Sequence, residues 1–139
     1  MPADRTQWEP LWQGYLAFYK TSLPPATTDL TWSRFFDGIE PMHALVADQA
    51  GSLIGLVHYL YHRSTMMVGP NCYLSDLFTA EAARGKGVGR ALIEAVYAAA
   101  RAAGSSRVYW TTQENNATAM LLYDKVAEKS GFIQYRKPL

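Results

Sequence analysis

The chain has 139 residues, 49% of them hydrophobic and 18% charged, with a formal net charge of +1. That length and apolar content predict one domain spanning residues 1–139, and the near-neutral balance gives no general nucleic-acid surface. Cys72 stands alone, no apolar run approaches the ~20 residues of a membrane span, and the opening MPADRTQW has no signal-peptide core, so the expectation is a soluble cytoplasmic protein with neither a disulfide nor a membrane partner.

From Trp8 the apolar residues Trp8, Leu11, Trp12, Tyr15, Leu16 and Tyr19 fall at helical spacing. Thr6 and Glu9 are placed for a capping box, with Pro10 tolerated in the first turn. Pro24-Pro25 breaks the chain, and a second helix is expected over Leu30 to Asp37 with Gly38 as its stop. His43 to Ala47 and Leu53 to Tyr61 are β-rich runs around the hairpin loop at residues 48–52, and Asn71 to Thr79 is a third strand. Short connections make these an antiparallel meander. A helix from Gly87 to Ala103 carries the stripe Val88, Ala91, Leu92, Ala95, Val96 and Ala99, and Gly104 ends it. The crossover makes the fourth strand, Arg107 to Thr112, parallel to Asn71–Thr79. Asn115 or Asn116 caps a last helix with inner face Ala119, Leu122, Tyr123 and Val126, and Gly131 precedes a final strand, Phe132 to Arg136. The order ααβββαβαβ with a mixed sheet is an α/β (α+β) sandwich.

The chemistry is concentrated in Tyr73 to Arg90, YLSDLFTAEAARGKGVGR. A strand feeds a turn with Glu81 and Arg84, then Gly85-Lys86-Gly87-Val88-Gly89 opens a helix. Glycines let backbone N–H groups approach an anion, and the helix start adds roughly half a positive elementary charge. No Gly-Lys-Ser/Thr follows, which excludes a P-loop. The G-x-G-x-x-G spacing and the βαβαβ repeat of a dinucleotide site are also absent. Alone, the glycine run is a weak signal; its place between a strand and an amphipathic helix, with Asn116 and Tyr123 on the next helix, raises it.

On these residues the chain resembles the GNAT superfamily of acetyl-CoA-dependent N-acetyltransferases. The match runs from about Leu53 to Leu139 and rests on YLSDLFT, RGKGVG, VYWTT and the Asn116, Ala119, Tyr123 pattern. Within that superfamily it is similar to diamine acetyltransferases and to small bacterial proteins related to yeast histone-acetylating enzymes. The resemblance implies a mostly antiparallel, GNAT-like sheet flanked by helices and acetyl-CoA as cosubstrate, with no metal. Arg84, Gly85, Lys86, Gly87, Val88, Gly89 and Arg90 would hold the pyrophosphate. The edge of Leu77, Phe78 and Thr79 would pair with pantetheine where two parallel strands separate, Asn116 would bond the pantetheine arm, and Tyr123 would protonate the departing thiolate. Direct transfer to an amine needs no covalent enzyme intermediate.

The superfamily's diamine members carry a glutamate base where this chain has Ser75, so the base is left open. Strand alternation turns Asp76 away from the face of Ser75, as a structural carboxylate. His58 and His62, about 13 Å apart at ~3.3 Å per residue, cannot share a metal ion; either one is the base, or both are wet surface histidines. Cys72 reads as a small buried hydrophobe. Lys125 and Lys129, one turn apart, read as a solvated face with Asp124 and Glu128 rather than a contact for the 3′-phosphate. The superfamily places its acceptor pocket in the N-terminal half, here Trp12, Tyr15, Tyr19, Trp32 and Phe35 with Asp29, Asp37 and Glu40. Its usual first strand is missing or very short, leaving a sheet edge that a homodimer partner would cover. The expected activity is acetyl transfer to a primary amine of a small molecule such as a polyamine or an amino acid. The alternatives are a protein lysine or N-terminal acetyltransferase and a non-catalytic acyl-CoA sensor.

Overall fold

A computed structural model describes residues 1–139. After a short 3-10 turn at Pro2–Asp4 come helices α1 (Arg5–Phe18) and α2 (Pro25–Arg34), then strands β1 (Met42–Gln49), β2 (Ser52–His62) and β3 (Asn71–Thr79). A second 3-10 turn, Glu81–Ala83, leads to α3 (Val88–Ala102), β4 (Val108–Tyr109) and α4 (Ala117–Val126). The sheet runs β1-β2-β3-β4. The first three strands pair antiparallel and β4 joins β3 in parallel, as the hairpins and the crossover require. Strand β1 lies at an edge of this sheet.

Each face of the sheet carries its own apolar core. On one, Leu92, Ile93, Val96 and Ala100 of α3 pack on Val57, Tyr59, Cys72 and Leu74. On the other, Trp8, Leu11, Trp12 and Leu16 of α1 close over Leu56. Burying each such aliphatic side chain contributes about 1.5–3 kcal/mol. Gly14 brings α1 close to the sheet, because a Cβ there would lie 2.8 Å from the Phe78 ring.

Four expectations need correction. Helix α1 starts at Arg5, which puts Thr6 and Glu9 inside the helix, where they form no capping box; Glu9 bonds Arg5 instead, at 3.3 Å. Pro10 accordingly sits beyond the first turn. Helix α2 begins at Pro25, not Leu30, because a proline at the first helical position has the right φ and no N–H to satisfy. Strand β4 is two residues rather than Arg107 to Thr112, and Phe132 to Arg136 is not a strand. A strand needs a ladder, and a two-residue neighbour supplies none; Phe132, Ile133 and Tyr135 are 88%, 74% and 89% exposed.

The fourth correction matters most. His58 pairs with Asp76 but the next residue, Tyr59, pairs with Leu74, so Ser75 is an unpaired bulge residue in β3. A bulge shifts the alternation by one. Leu74 and Leu77 face α3 while Asp76 and Phe78 face α1. Asp76 therefore stands on the face that strict alternation assigned to Ser75.

Candidate active site

The turn before α3 exposes a row of backbone donors. Gly85 and Gly87 have φ of +78° and +80°, conformations that glycine adopts without strain. The N–H groups of residues 85–90 have no protein acceptor; the first amide of this turn to be bonded is Ala91, to the Gly87 carbonyl at 3.0 Å. Six unpaired donors at the start of a 15-residue helix make an anion cradle. Lys86 is exposed beside it, whereas Arg90 is engaged with Glu94 at 3.0 Å. Arg84 lies with its guanidinium 5.6 Å from the Phe78 ring, and its Nε–H donates to the Thr79 carbonyl at 3.2 Å.

The sheet opens next to this cradle. Pairing between β3 and β4 ends at Tyr73 with Tyr109, leaving Leu74 to Thr79 without a strand neighbour on that side. Of the expected edge residues, Leu77 packs toward α3, Phe78 toward α1, and the Thr79 carbonyl is taken by Arg84. Asn116 is the N-cap residue of α4, yet its side chain makes no capping hydrogen bond and stays free. The buried Thr112 hydroxyl, on the segment between β4 and α4, also lacks a partner. Helix α4 is held over the cradle: a Cβ on Gly89 would lie 3.4 Å from Leu122, and the Tyr97 hydroxyl donates to the Val126 carbonyl at 2.8 Å.

Tyr123 projects from α4 against Trp110, edge to face with centroids 5.4 Å apart. Burial pushes its phenol above the ordinary value and the nearby Tyr19 adds to the shift, so the hydroxyl keeps its proton at neutral pH. Tyr19 packs against Tyr15 with the rings tilted and their centroids 4.9 Å apart. The Tyr15 phenol is pushed up by burial first and then by Asp76, and Tyr19 responds to the same two causes. Tyr19, just past the C-terminal turn of α1, thus lies near both Asp76 and Tyr123.

His58 is not a wet surface residue. Its side chain is 4% exposed, with Phe35, Trp12 and Trp8 at ring-centroid distances of 4.7, 5.1 and 5.8 Å. The Trp8 indole N–H donates to His58 Nε2 at 3.0 Å, and His58 Nδ1 meets Asp76 Oδ2 at 3.0 Å. An indole nitrogen only donates, so Nε2 is the acceptor and Nδ1 carries the proton that Asp76 receives as a hydrogen bond. His62 lies at the surface, bonded to the Tyr109 hydroxyl. The Cys72 thiol is pushed up to about 11 by burial, a non-reactive state. Helix α4 ends at Val126, so Lys125 and Lys129 are not stacked one turn apart. Sequence reasoning missed Asp76 and the Trp8–His58 pair because neither a bulge nor a contact across 50 residues leaves a local signal.

Comparison with known proteins agrees with this geometry. The profile of the acetyltransferase (GNAT) family matches residues 8–127. The D-amino-acid N-acetyltransferase HPA3 of Saccharomyces cerevisiae (strain ATCC 204508 / S288c) is 42% identical over 138 residues, covering 98% of this chain and 86% of that protein. Among solved structures, the ribosomal-protein-alanine N-acetyltransferase from Brucella melitensis biovar Abortus 2308 superposes with a TM-score of 0.82 at 20% identity, over 99% of this chain and 94% of the other. AAC(6')-Iy, in complex with the bisubstrate analogue CoA-S-monomethyl-acetylneamine, gives 0.83 at 18% identity, over 99% and 93%. Likeness at such identities speaks for the fold.

Proposed function

The chain belongs to the acetyltransferase (GNAT) family and is an acetyl-CoA-dependent N-acetyltransferase; we propose that its acceptor is the primary amine of a small molecule, D-amino acids first among the classes. The observation that carries the assignment of the site is the row of six unpaired amides at the start of α3, beside the opening between β3 and β4. Those donors suit a pyrophosphate, and the free Asn116 amide and the orphan Thr112 hydroxyl suit the amide-bearing arm that follows it. Acetyl-CoA supplies an activated acetyl thioester. The chain orients it, excludes water from the cleft and, through the Tyr123 hydroxyl, holds a proton for the leaving sulfur. D-amino acids lead because of the 42% identity to HPA3; the superfamily resemblance alone leaves polyamines equally open.

Acceptor class is tested by competition. An equimolar mixture of D- and L-amino acids, a polyamine, an aminoglycoside and a lysine peptide is incubated with acetyl-CoA, and the products are read by mass spectrometry. Acetylated small amines are expected. Product on the peptide alone would favour the protein-acetylating alternative.

Gly87→Ala is expected to weaken acetyl-CoA binding about tenfold by calorimetry, because a side chain in the left-handed region costs roughly 1–2 kcal/mol and the turn would shift to relieve it. Unchanged affinity would remove this turn from the binding site. The β1 edge favours a homodimer, and a monomer mass in solution would rule that out. No helix is long and apolar enough to cross a membrane. A lone, buried thiol supports placement in the reducing cytoplasm.

A further inference from the structure

The base that accepts the proton of the incoming amine has no assignment from the motif, since Ser75 occupies the position where a carboxylate was expected. The bulge changes which residue reaches the cleft. We propose that Asp76 is the catalytic base, and that Trp8 and His58 form a hydrogen-bonded chain that positions its carboxylate toward the acceptor amine. The inference deepens the acetyltransferase reading and rests on it.

Three observations converge. First, Ser75 is looped out of the ladder, and this carries Asp76 to the α1 face. Second, Asp76 is held from two elements: Oδ2 receives the His58 Nδ1–H at 3.0 Å, and the Tyr15 hydroxyl of α1 neighbours the same carboxylate. Its side chain is 17% exposed against 4% for His58, so the carboxylate looks out of the core while its partner is sealed in it. Third, the groups around it form an acceptor site: His58 from β2, Tyr15 and Tyr19 from α1, Tyr73 of its own strand beside Tyr15, and Tyr123 of α4 beyond Tyr19. A carboxylate rimmed by aromatic rings binds an ammonium group, and its distance from bulk water strengthens the attraction.

The chain from Trp8 also explains why His58 is not itself the base. Its only unprotonated nitrogen, Nε2, is filled by the Trp8 indole N–H. A proton arriving there would meet another donor. His58 therefore acts as a fixed donor that locks the rotamer of Asp76, and Trp8 locks the tautomer of His58 in turn.

The proton balance closes. The acceptor ammonium gives one proton to Asp76, and the neutral amine forms the new C–N bond. As the C–S bond breaks, sulfur takes the Tyr123 proton, and the second proton of the nitrogen restores that phenol. Asp76 returns its proton to water, so one proton is released per acetyl group transferred.

Three variants test the proposal, with acetyl-CoA affinity by calorimetry and thermal melting as controls for folding. Asp76→Asn keeps an oxygen for His58 but cannot take a proton; kcat at neutral pH should fall about 10²-fold, with acetyl-CoA affinity within about twofold and the acid limb of the pH–rate profile lost. His58→Gln offers an N–H to Asp76 and a carbonyl to Trp8, so it should stay within about threefold of the native kcat, whereas His58→Leu should lose about tenfold. A base at His58 would instead make His58→Gln as damaging as His58→Leu. Native kcat and pH profile in Asp76→Asn overturn the proposal and leave the acetyltransferase reading standing. Failure of the unmodified protein to turn over any amine overturns both.

Discussion

Tyr123→Phe is expected to lower kcat about 10²–10³-fold while acetyl-CoA affinity stays within about twofold, the pattern of a lost general acid. The substitution removes one hydroxyl. The ring, its edge-to-face contact with Trp110 and its place beside Leu122 all remain, so neither the fold nor the opening between β3 and β4 should change. The hydroxyl donates to no protein acceptor, so deleting it leaves no buried partner unpaired, and an effect on rate cannot be ascribed to local collapse. Burial and Tyr19 hold the phenol above its ordinary value near 10, which keeps the acid form present through neutral and mildly alkaline pH. The sign is definite: a raised phenol loses its proton only at higher pH, so the native profile should show no decline from this group below about pH 10. Steady-state kinetics on the purified variant reads both quantities. Full activity would assign the proton on sulfur to another group.

Trp8→Ala is expected to cost about 3–5 kcal/mol from lost packing alone, the range for truncating a buried large aromatic. Trp8 is fully buried, with Trp32, Trp12 and Phe35 at centroid distances of 4.8, 6.0 and 6.0 Å, and the Arg5 guanidinium 5.6 Å above its ring. Its removal also leaves His58 Nε2 buried without a donor, which adds about 1–3 kcal/mol. Set against a total stability of roughly 5–15 kcal/mol, this is enough to leave much of the population unfolded at physiological temperature. The melting temperature should drop by about 10–20 °C, read by calorimetry or circular dichroism. Trp8→Phe fills most of the space and should cost much less, but it too removes the N–H that fixes His58. A drop below about 3 °C for Trp8→Ala would mean that α1 is not the lid of this core.

How much of this was legible in the sequence depended on how locally each feature is encoded. Strand β3 runs from Asn71 to Thr79 as expected, because the aromatic and leucine residues Tyr73, Leu74, Leu77 and Phe78 sit between clear turn signals. Helix α3 differs from its expected limits by one residue at each end, since its apolar stripe is strong and Gly87 and Gly104 flank it. Helix α2 was displaced because a Pro-Pro pair reads equally as a break or as a helix start, and only the structure shows Pro25 at the first helical position. The terminal run Phe132 to Arg136 has strand-like composition, but no neighbouring ladder receives it.

The site divides along the same line. The glycine turn and the Asn116–Tyr123 spacing are two short local patterns, and the structure packs α4 onto the turn through Leu122, 3.4 Å from a Cβ on Gly89. Asp76 was turned to the wrong face because a period-two argument assumes an unbroken ladder, and the bulge at Ser75 breaks it. The Trp8–His58 bond joins residues 50 apart, between α1 and β2, and exists only once α1 has packed on the sheet.

The most direct test of the account is free coenzyme A release from acetyl-CoA, followed with and without a mixture of small primary amines, on protein whose acetyl-CoA binding has been confirmed by calorimetry. Release that depends on amine and saturates with it is expected. Tight binding with no release above the amine-free rate would contradict it, and would make this fold an acyl-CoA sensor rather than a catalyst.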